Sequence, residues 1–577
     1  MNKYRTHFCG DLTLNDIGSV VKIAGWVENI RDHGGVIFVD IRDQYGTVQI
    51  VSNDNAIFDN VTRESTVCVT GKVIKRDEEL INKKIKTGYI EILTSKLEIL
   101  SACSNVLPFE IKTSSDNSLE VRLKYRYLDM RNKKVKDKIM FRADVVKYLR
   151  DKTNSLNFTE ITTPILTASS PEGARDFVVP SRKFHGKFYA LPQAPQLFKQ
   201  LLMIAGFDRY FQIAPCFRDE DARSDRIYGE FYQLDLEMSF ATEDDVCKVT
   251  EDILYSTFSK FSDKLISSKP FKRISYKDSM LKYGTDKPDL RNPLYIVDLT
   301  NIFVKTSFKP FKDVVVKGIK VPCIADKSNS WFNEVVDYAK SINMPGIGYI
   351  MVNDDMTFRG PIDKFLTEVE RDELIKAAEL KANSVLFFIA DKCKAPNLAG
   401  LMRIELGRKL NLLDKNRFDI CIINDFPMFE YDDESEKYIF MHNPFSLPKD
   451  GKDIISKKPT DIIAYQFDFV CNGVELLSGA VRNHDLKIMR DCFKIAGYDE
   501  EDLKEKFGSF YNAFNYGVPP HAGMAIGIDR MLMLLKGEDN IRETIAFPMT
   551  SGGQDLMMGS PTTVNETQLK DVHIKIR

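Results

Sequence analysis

The chain of 577 residues is too long for one hydrophobic core, so three or four domains are expected. Its composition, 43% hydrophobic and 28% charged, is that of an ordinary globular protein, and no run of about 18 apolar residues or apolar leader is present, which excludes a membrane span or secretory signal on sequence grounds. A formal net charge of −2 excludes a global basic footprint, and ten scattered cysteines with no CxxC pair point to reduced thiols in a cytoplasmic protein, without disulfides or structural zinc.

In chain order, five β-branched, alternating stretches come first: Val20–Ile30, Gly35–Asp43, Gly46–Ser52, Thr66–Lys75 and Gly88–Leu100. Gly34-Gly35 and the "DQYG" turn at Asp43–Gly46 separate them, and five short strands in this span suit a small barrel of the OB type over residues 1–105. A basic connector follows (106–140), whose run "VRLKYRYLDMRNKKVKDK" reads as the solvated face of a helix. The helix Ile139–Leu156 and a strand Asn157–Leu166, ended by Pro164, open the next region (141–287). Residues 288–422 change character, with helices expected at Glu368–Leu380 and Met402–Leu412 and few chemical groups. They read as an insertion between 141–287 and 423–577.

Two segments carry chemistry. In "FRDEDARSDRIYGEFYQLDLEMSF" (Phe217–Phe240) two strands bracket a loop dense in Arg, Asp and Glu, where Arg218 offers a planar fork to a phosphate and Glu220 an acceptor for base or ribose. In "GMAIGIDRMLMLL" (Gly523–Leu535) glycines precede an Asp-Arg pair at the start of an amphipathic helix, so that a flat base can approach the backbone and Arg530 can meet a terminal phosphate. Alone, the first reads as surface ion pairing and the second as a packing turn.

Together with the strand–Pro element at Pro164, the order strand–Pro, FRxE (Phe217–Glu220) and GxxxG-apolar-DR (Gly523–Arg530) resembles the three motifs of class II aminoacyl-tRNA synthetases, and most of all the bacterial-type aspartyl-tRNA synthetases, over roughly residues 1–560. The resemblance implies an α+β multidomain protein: an OB anticodon-binding domain, an antiparallel class II catalytic sheet and a GAD-type insertion. It also implies a homodimer formed through the strand that ends at Pro164, with ATP and Mg²⁺ as cofactors. The implied reaction activates L-aspartate and transfers it to tRNA(Asp).

Residue by residue, the resemblance implies that Glu172, Gln196, Lys199, Asp235, His442 and Arg482 contact aspartate, with Arg482 as the bidentate partner of its side-chain carboxylate. It implies that Arg218, Asp219, Glu220, Glu475, Gly527, Ile528, Asp529 and Arg530 surround ATP, with Arg218 and Arg530 catalytic and Arg218 also reaching aspartate. Asp468 and Glu475 match the carboxylates for Mg²⁺. Arg31, Phe38 and Gln49 match anticodon contacts, and His33 stands where relaxed forms, which also charge tRNA(Asn) for later amidation, carry histidine. A functional link to a tRNA-dependent amidotransferase follows from that reading. The second mark of relaxation, a glycine, is Leu80 here.

Three departures stand out. The glycine run before the selector arginine reads Leu476-Leu477-Ser478-Gly479-Ala480, the "RIYGEF" loop puts Ile227 or Tyr228 where a nucleotide-contacting Gln is expected, and Met549 replaces a Lys. Alternatives are a strictly tRNA(Asp)-specific enzyme, an asparaginyl- or lysyl-type synthetase and a non-catalytic tRNA-binding paralogue. The insertion and the Arg482/Lys199 pair speak against the second, and the two ATP arginines against the third.

Overall fold

The computed structural model describes residues 2–169 and 174–576, and the chain divides into two compact units after Glu110. In the first unit five strands, β1 (Val20–His33), β2 (Val36–Arg42), β3 (Thr47–Val51), β4 (Thr66–Lys75) and β5 (Ile90–Ser101), close into a barrel in the order β1-β2-β3-β5-β4. This is the OB barrel expected from the alternation. Val21, Ile23, Val39, Ile41, Val48, Ile50, Val69 and Ile92 fill its interior, while the intervening polar residues face out. Gly34 and Gly35 close the β1–β2 hairpin with φ of +64° and +93°, conformations in which a Cβ is strained.

The second unit is built on an eight-stranded sheet. Its order is Lys272–Ser275, Ile420–Asn424, Gln466–Cys471, Val474–Val481, His521–Gly527, Gly229–Ser239, Arg209–Arg218, Thr159–Glu160. All neighbours pair antiparallel except the two end pairs, which are parallel. Helices Lys133–Ser155 and Glu243–Phe261 cover one face through Val145, Leu149, Val246, Ile253, Leu254 and Phe258. A Thr242/Asp245 capping box starts the second of them. The strand expected over Asn157–Leu166 is shorter than the sequence suggested: only Thr159 and Glu160 pair, with Tyr210 and Phe211, and the chain leaves the sheet ahead of Pro164, which has no N–H to continue a ladder.

The basic connector is a second correction. Arg122 and Arg126 are not on a solvated face but buried. Arg122 pairs with Asp129 (3.2 Å) and with Glu543 (2.8 Å), and Arg126 pairs with Asp129 and donates to the carbonyls of Ile545 (2.8 Å) and Ala546 (2.9 Å). Spacing along the helix could not show this, because both arginines share the single nearby Asp129 and their other partners, Glu543 and the carbonyls of Ile545 and Ala546, lie more than four hundred positions away. Burial pushes the Glu543 carboxyl up, but Arg122 and Lys138 outweigh it and hold it down to about 2. A depression of that size corresponds to on the order of 3 kcal/mol, present above about pH 4.5 and lost as pH falls through about 2. Glu543→Gln is therefore expected to lower unfolding stability by a few kcal/mol at pH 7 (~3 kcal/mol), and the gap to the parent should shrink in denaturant titrations below pH 4.5. A gap that stays constant down to acid pH would contradict the pairing.

Along the chain between the paired strands Lys272–Ser275 and Ile420–Asn424 comes a separate five-stranded antiparallel sheet: Ile296–Asp298, Val315–Val321, Val385–Asp391, Gly348–Val352 and Phe358–Arg359. Helices Asn329–Ser341 and Ala395–Lys409 build one apolar layer against it, and Glu368–Ala377 another. The helix expected at Met402–Leu412 starts instead at Ala395, because Pro396 sits in its first turn, where a missing N–H costs nothing. The strand Ile420–Asn424 belongs wholly to the eight-stranded sheet, so the expected boundary at 422 cuts through it. Among the described residues no helix is long and apolar enough to cross a membrane.

Candidate active site

Strand pairing gathers the chemistry. Arg209–Arg218 and Gly229–Ser239 run antiparallel with Arg218 opposite Gly229, so the charged loop hangs from their common end. Alternation puts Gln233, Asp235 and Glu237 on one face of the second strand. On the neighbouring strand Gly523 leaves room for Glu237: a Cβ there would lie 1.9 Å from its Oε2. Ser478 and Arg482 come from the next hairpin and its exit, and Gln196 and Lys199 from the helix Gln196–Ile204. Gln196, Lys199, Gln233, Asp235, Ser478 and Arg482 line a cavity of about 440 Å³ with Arg218, Glu220, His442, Glu475, Gly527, Asp529 and Arg530.

At the floor of the cavity is a buried charge cluster. Lys199 Nζ donates to Asp235 Oδ1 at 2.6 Å and lies 3.3 Å from Glu237 Oε2. Arg482 donates Nε and Nη2 to Glu237 at 2.9 and 3.2 Å. Both acids are 1% exposed or less, a position tolerable only with paired counter-charges. Burial pushes the Asp235 carboxyl up despite Lys199; for Glu237 burial acts the same way, but Arg482 and Lys199 prevail and keep it below the ordinary range. Asp235 Oδ2, Gln196 Nε2 and His442 Nε2 are buried without a protein hydrogen-bond partner. Burial also lowers the affinity of His442 for a proton, leaving a neutral ring. One acceptor and one amide donor, aimed into a charged floor, can hold an ammonium and a carboxylate.

The upper part of the cavity holds the arginines. Arg218 lies over the Phe231 ring, 5.1 Å from its centroid, and donates Nε to the Gln193 carbonyl at 3.4 Å. Arg530 donates to the Glu475 carbonyl (3.1 Å) and lies 3.4 Å from Asp225. Glu220 pairs with Arg226 at 2.6 Å. Asp529 lines the wall, but its oxygens are taken by Arg142 and by the Tyr232 N–H (3.1 Å), which anchor the arginine-bearing helix to the sheet. Two expected nucleotide residues stand apart from the cavity lining: Ile528 is fully buried in the core, and Asp219 accepts from the Tyr228 hydroxyl at 3.0 Å. Of the two residues standing where the nucleotide-contacting Gln is expected, Ile227 enters the cavity wall while Tyr228 turns out to Asp219. Glu172 lies outside the described residues.

Asp468 and Glu475 are joined by Ser478, whose Oγ donates to Asp468 Oδ1 at 2.6 Å and lies 3.4 Å from Glu475 Oε1. The serine that interrupts the glycine run is thus the tie between the two carboxylates. Burial, then the neighbouring Glu475, pushes the Asp468 carboxyl well up, and its Oδ2 has no hydrogen-bond partner. Among the described residues no three His, Cys, Asp or Glu side chains cluster as a complete metal cage.

In the barrel unit, Arg31, His33, Phe38 and Gln49 share one outer face of β1–β3. Arg31 is opposite Phe38, Asp40 is opposite Gln49, and the His33 and Phe38 rings meet edge-on at 5.8 Å. Arg31 bridges Asp40 (2.8 Å) and Gln49 Oε1 (3.0 Å), and Gln49 donates to Glu91 at 2.6 Å. Sequence reasoning missed Glu91, and also Glu237, Ser478 and Lys287. Glu237 was within reach, because it follows Asp235 by two positions on a strand and so shares its face.

Comparison with known proteins gives the family and the fold. The family described as tRNA synthetases class II (D, K and N) matches residues 118–551, and an OB-fold nucleic acid binding domain of the tRNA anticodon type matches residues 21–100. The chain is 48% identical over 592 residues to an aspartate–tRNA(Asp/Asn) ligase of Rickettsia bellii, covering 100% of this chain and 98% of the relative. It is 49% identical over 588 residues to the ligase of the same name from Ehrlichia chaffeensis, covering 100% and 99%. The fold matches the crystal structure of asparaginyl-tRNA synthetase from Pyrococcus horikoshii complexed with asparaginyl-adenylate, with TM-score 0.57 and 20% identity over 94% of this chain and 98% of that one.

Proposed function

We propose that this chain, which belongs to the class II tRNA synthetases (D, K and N), is an aspartate–tRNA ligase that charges both tRNA(Asp) and tRNA(Asn). The observation that carries the amino-acid assignment is the buried Lys199–Asp235–Glu237–Arg482 cluster beside two arginines. L-Aspartate brings two carboxylates and one ammonium. Arg482, oriented by Glu237, takes the side-chain carboxylate with Lys199; the free Asp235 oxygen takes the ammonium; and Gln196 and Arg218 receive the α-carboxylate, with His442 neutral beside them. Asparagine presents a neutral amide in place of the carboxylate that Arg482 and Lys199 receive, so its NH₂ faces cationic donors and the charge pairing is lost, which disfavours it strongly.

In the first step an α-carboxylate oxygen of aspartate forms a bond to the α-phosphorus of ATP as the bond to the bridging oxygen of pyrophosphate breaks. Arg218 stabilises charge on the α-phosphate and Arg530 on the departing end, while Glu220 and the open backbone at Gly527 accommodate the nucleoside side. Asp468 and Glu475, with the unpartnered Asp468 oxygen, are the residues that would hold Mg²⁺, which would supply neutralisation of the phosphate charge. In the second step a hydroxyl of the terminal tRNA ribose attacks the aspartyl carbonyl and AMP leaves. No enzyme nucleophile is required. We further propose a homodimer through the Thr159–Glu160 edge strand, which carries exposed Ile165 and Leu166 nearby, and a link to an amidating enzyme that consumes aspartyl-tRNA(Asn).

The test is aspartylation of tRNA(Asp) and tRNA(Asn) transcripts side by side. Comparable charging of both is expected, and His33→Leu should depress tRNA(Asn) charging by about tenfold or more with tRNA(Asp) charging retained, because the change alters one stacking and hydrogen-bonding surface on the barrel. Charging of tRNA(Asp) alone by the parent would refute the dual specificity and leave the ligase assignment standing.

A further inference from the structure

The segment that leads into the inserted sheet reaches the catalytic carboxylates. Lys287, the fifth residue of "YGTDKPDL", sends Nζ to within 3.3 Å of Glu475 Oε2 and 2.7 Å of Asp286 Oδ2. Its position is fixed from both sides. The turn at Gly473 packs on Asp289, where a glycine Cβ would lie 3.4 Å from the Asp289 Cβ. From the insertion, the fully buried Arg403 donates to the carbonyls of Asp289 (3.0 Å), Asn292 (2.7 Å) and Leu294 (2.6 Å). A Lys ammonium is a compact point charge that can stand where a cation stands. Here it stands beside the Glu475–Ser478–Asp468 tie, in which one buried Asp468 oxygen has no hydrogen-bond partner.

We infer that Lys287 is an internal counter-cation of the Asp468–Glu475 pair that competes with a divalent cation for it, so that the root of the insertion sets the metal affinity of the site. The inference rests on the reading of Asp468 and Glu475 as metal carboxylates. With the ammonium in place the pair is partly neutralised, and metal binding requires its displacement. Until then the lysine, with Arg530 Nη1 3.6 Å from the other Glu475 oxygen, keeps two acids, one of them fully buried, from facing each other uncompensated. Lys287 acts through the carboxylates and is a positioning residue.

The experiment is a Mn²⁺ titration of the full-length protein without nucleotide, with free Mn²⁺ read by electron paramagnetic resonance. Parent, Lys287→Met, Lys287→Gln, Lys287→Arg and Asp468→Asn are compared, with a thermal melt of each in EDTA. Lys287→Met and Lys287→Gln are expected to bind Mn²⁺ about tenfold more tightly than the parent. Their melting temperatures should lie below the parent's in EDTA and recover on adding Mn²⁺. Lys287→Arg should restore the weaker parental affinity, and Asp468→Asn should lose binding. If Asp468→Asn binds as the parent does, the carboxylate reading fails. If it loses binding while the neutral Lys287 variants keep or weaken the parental affinity, the lysine inference is overturned and the carboxylate reading stands. Should Lys287→Met fail to fold, Lys287→Gln, which keeps a hydrogen-bonding head without the charge, decides.

Discussion

Arg482→Leu is expected to reduce aspartate-dependent ATP–pyrophosphate exchange, as kcat/KM for aspartate, by roughly three to four orders of magnitude. The guanidinium is buried at 3% exposure and doubly bonded to Glu237, so leucine removes the carboxylate receptor and also leaves Glu237, among the described residues, with Lys199 as its remaining salt-bridge partner. Removing one member of a buried pair costs about 3–5 kcal/mol because the other is left unpaired, so a fall in melting temperature should accompany the kinetic loss. Glu237→Gln separates the two effects. It keeps Arg482 in the cavity but loosens its aim, so the KM for aspartate should rise while the KM for ATP stays near the parental value. An Arg482→Leu protein that retained selective aspartate activation would show that the receptor lies elsewhere.

The second large effect belongs to Arg218. It lies over the Phe231 ring and reaches the Gln193 carbonyl, so its fork is set before a phosphate arrives. Arg218→Ala should lower kcat for adenylate formation by about 10²–10³, the magnitude typical of removing one preorganised donor at developing charge. Arg218→Lys should recover little of this, since an ammonium cannot reproduce the planar stacking or the two-pronged contact. Single-turnover adenylate formation checks the step directly. A parental rate for Arg218→Ala would assign phosphate stabilisation to Arg530 alone.

Much of this architecture is legible along the chain because it is local. Barrel strands announce themselves by alternation between glycine turns, and the two motif loops by dense runs of Arg, Asp and Gly flanked by strands. The residues missed are those whose partners are remote. Glu237 takes its meaning from Arg482, 245 positions on, and Gly523 from the room it leaves for Glu237. Arg122 and Arg126 look like solvated charge until Glu543 and the carbonyls of Ile545 and Ala546 are folded onto them. The same holds for Lys287, which in the sequence is one more lysine in a turn before Pro288. The resemblance supplied Arg482, Lys199 and Asp235. It did not supply the way Ser478 ties Asp468 to Glu475, because that residue departs from the pattern.

Loop chemistry is the other source of error. The strand before Pro164 stops short, at Glu160, and Pro396 sits in the first turn of the helix Ala395–Lys409, ahead of the expected start at Met402. The same residue type thus stops one ladder and starts another, according to whether its missing N–H would have been used.

The central claim is that the charge cluster selects aspartate. It is tested most directly by ATP–pyrophosphate exchange with the purified full-length protein, offered L-aspartate, L-asparagine or L-lysine in turn. Exchange with aspartate, and with asparagine or lysine at least about a thousandfold lower in kcat/KM, is the expected result. Exchange driven equally well by asparagine or lysine, or absent with all three in a folded sample, would contradict it.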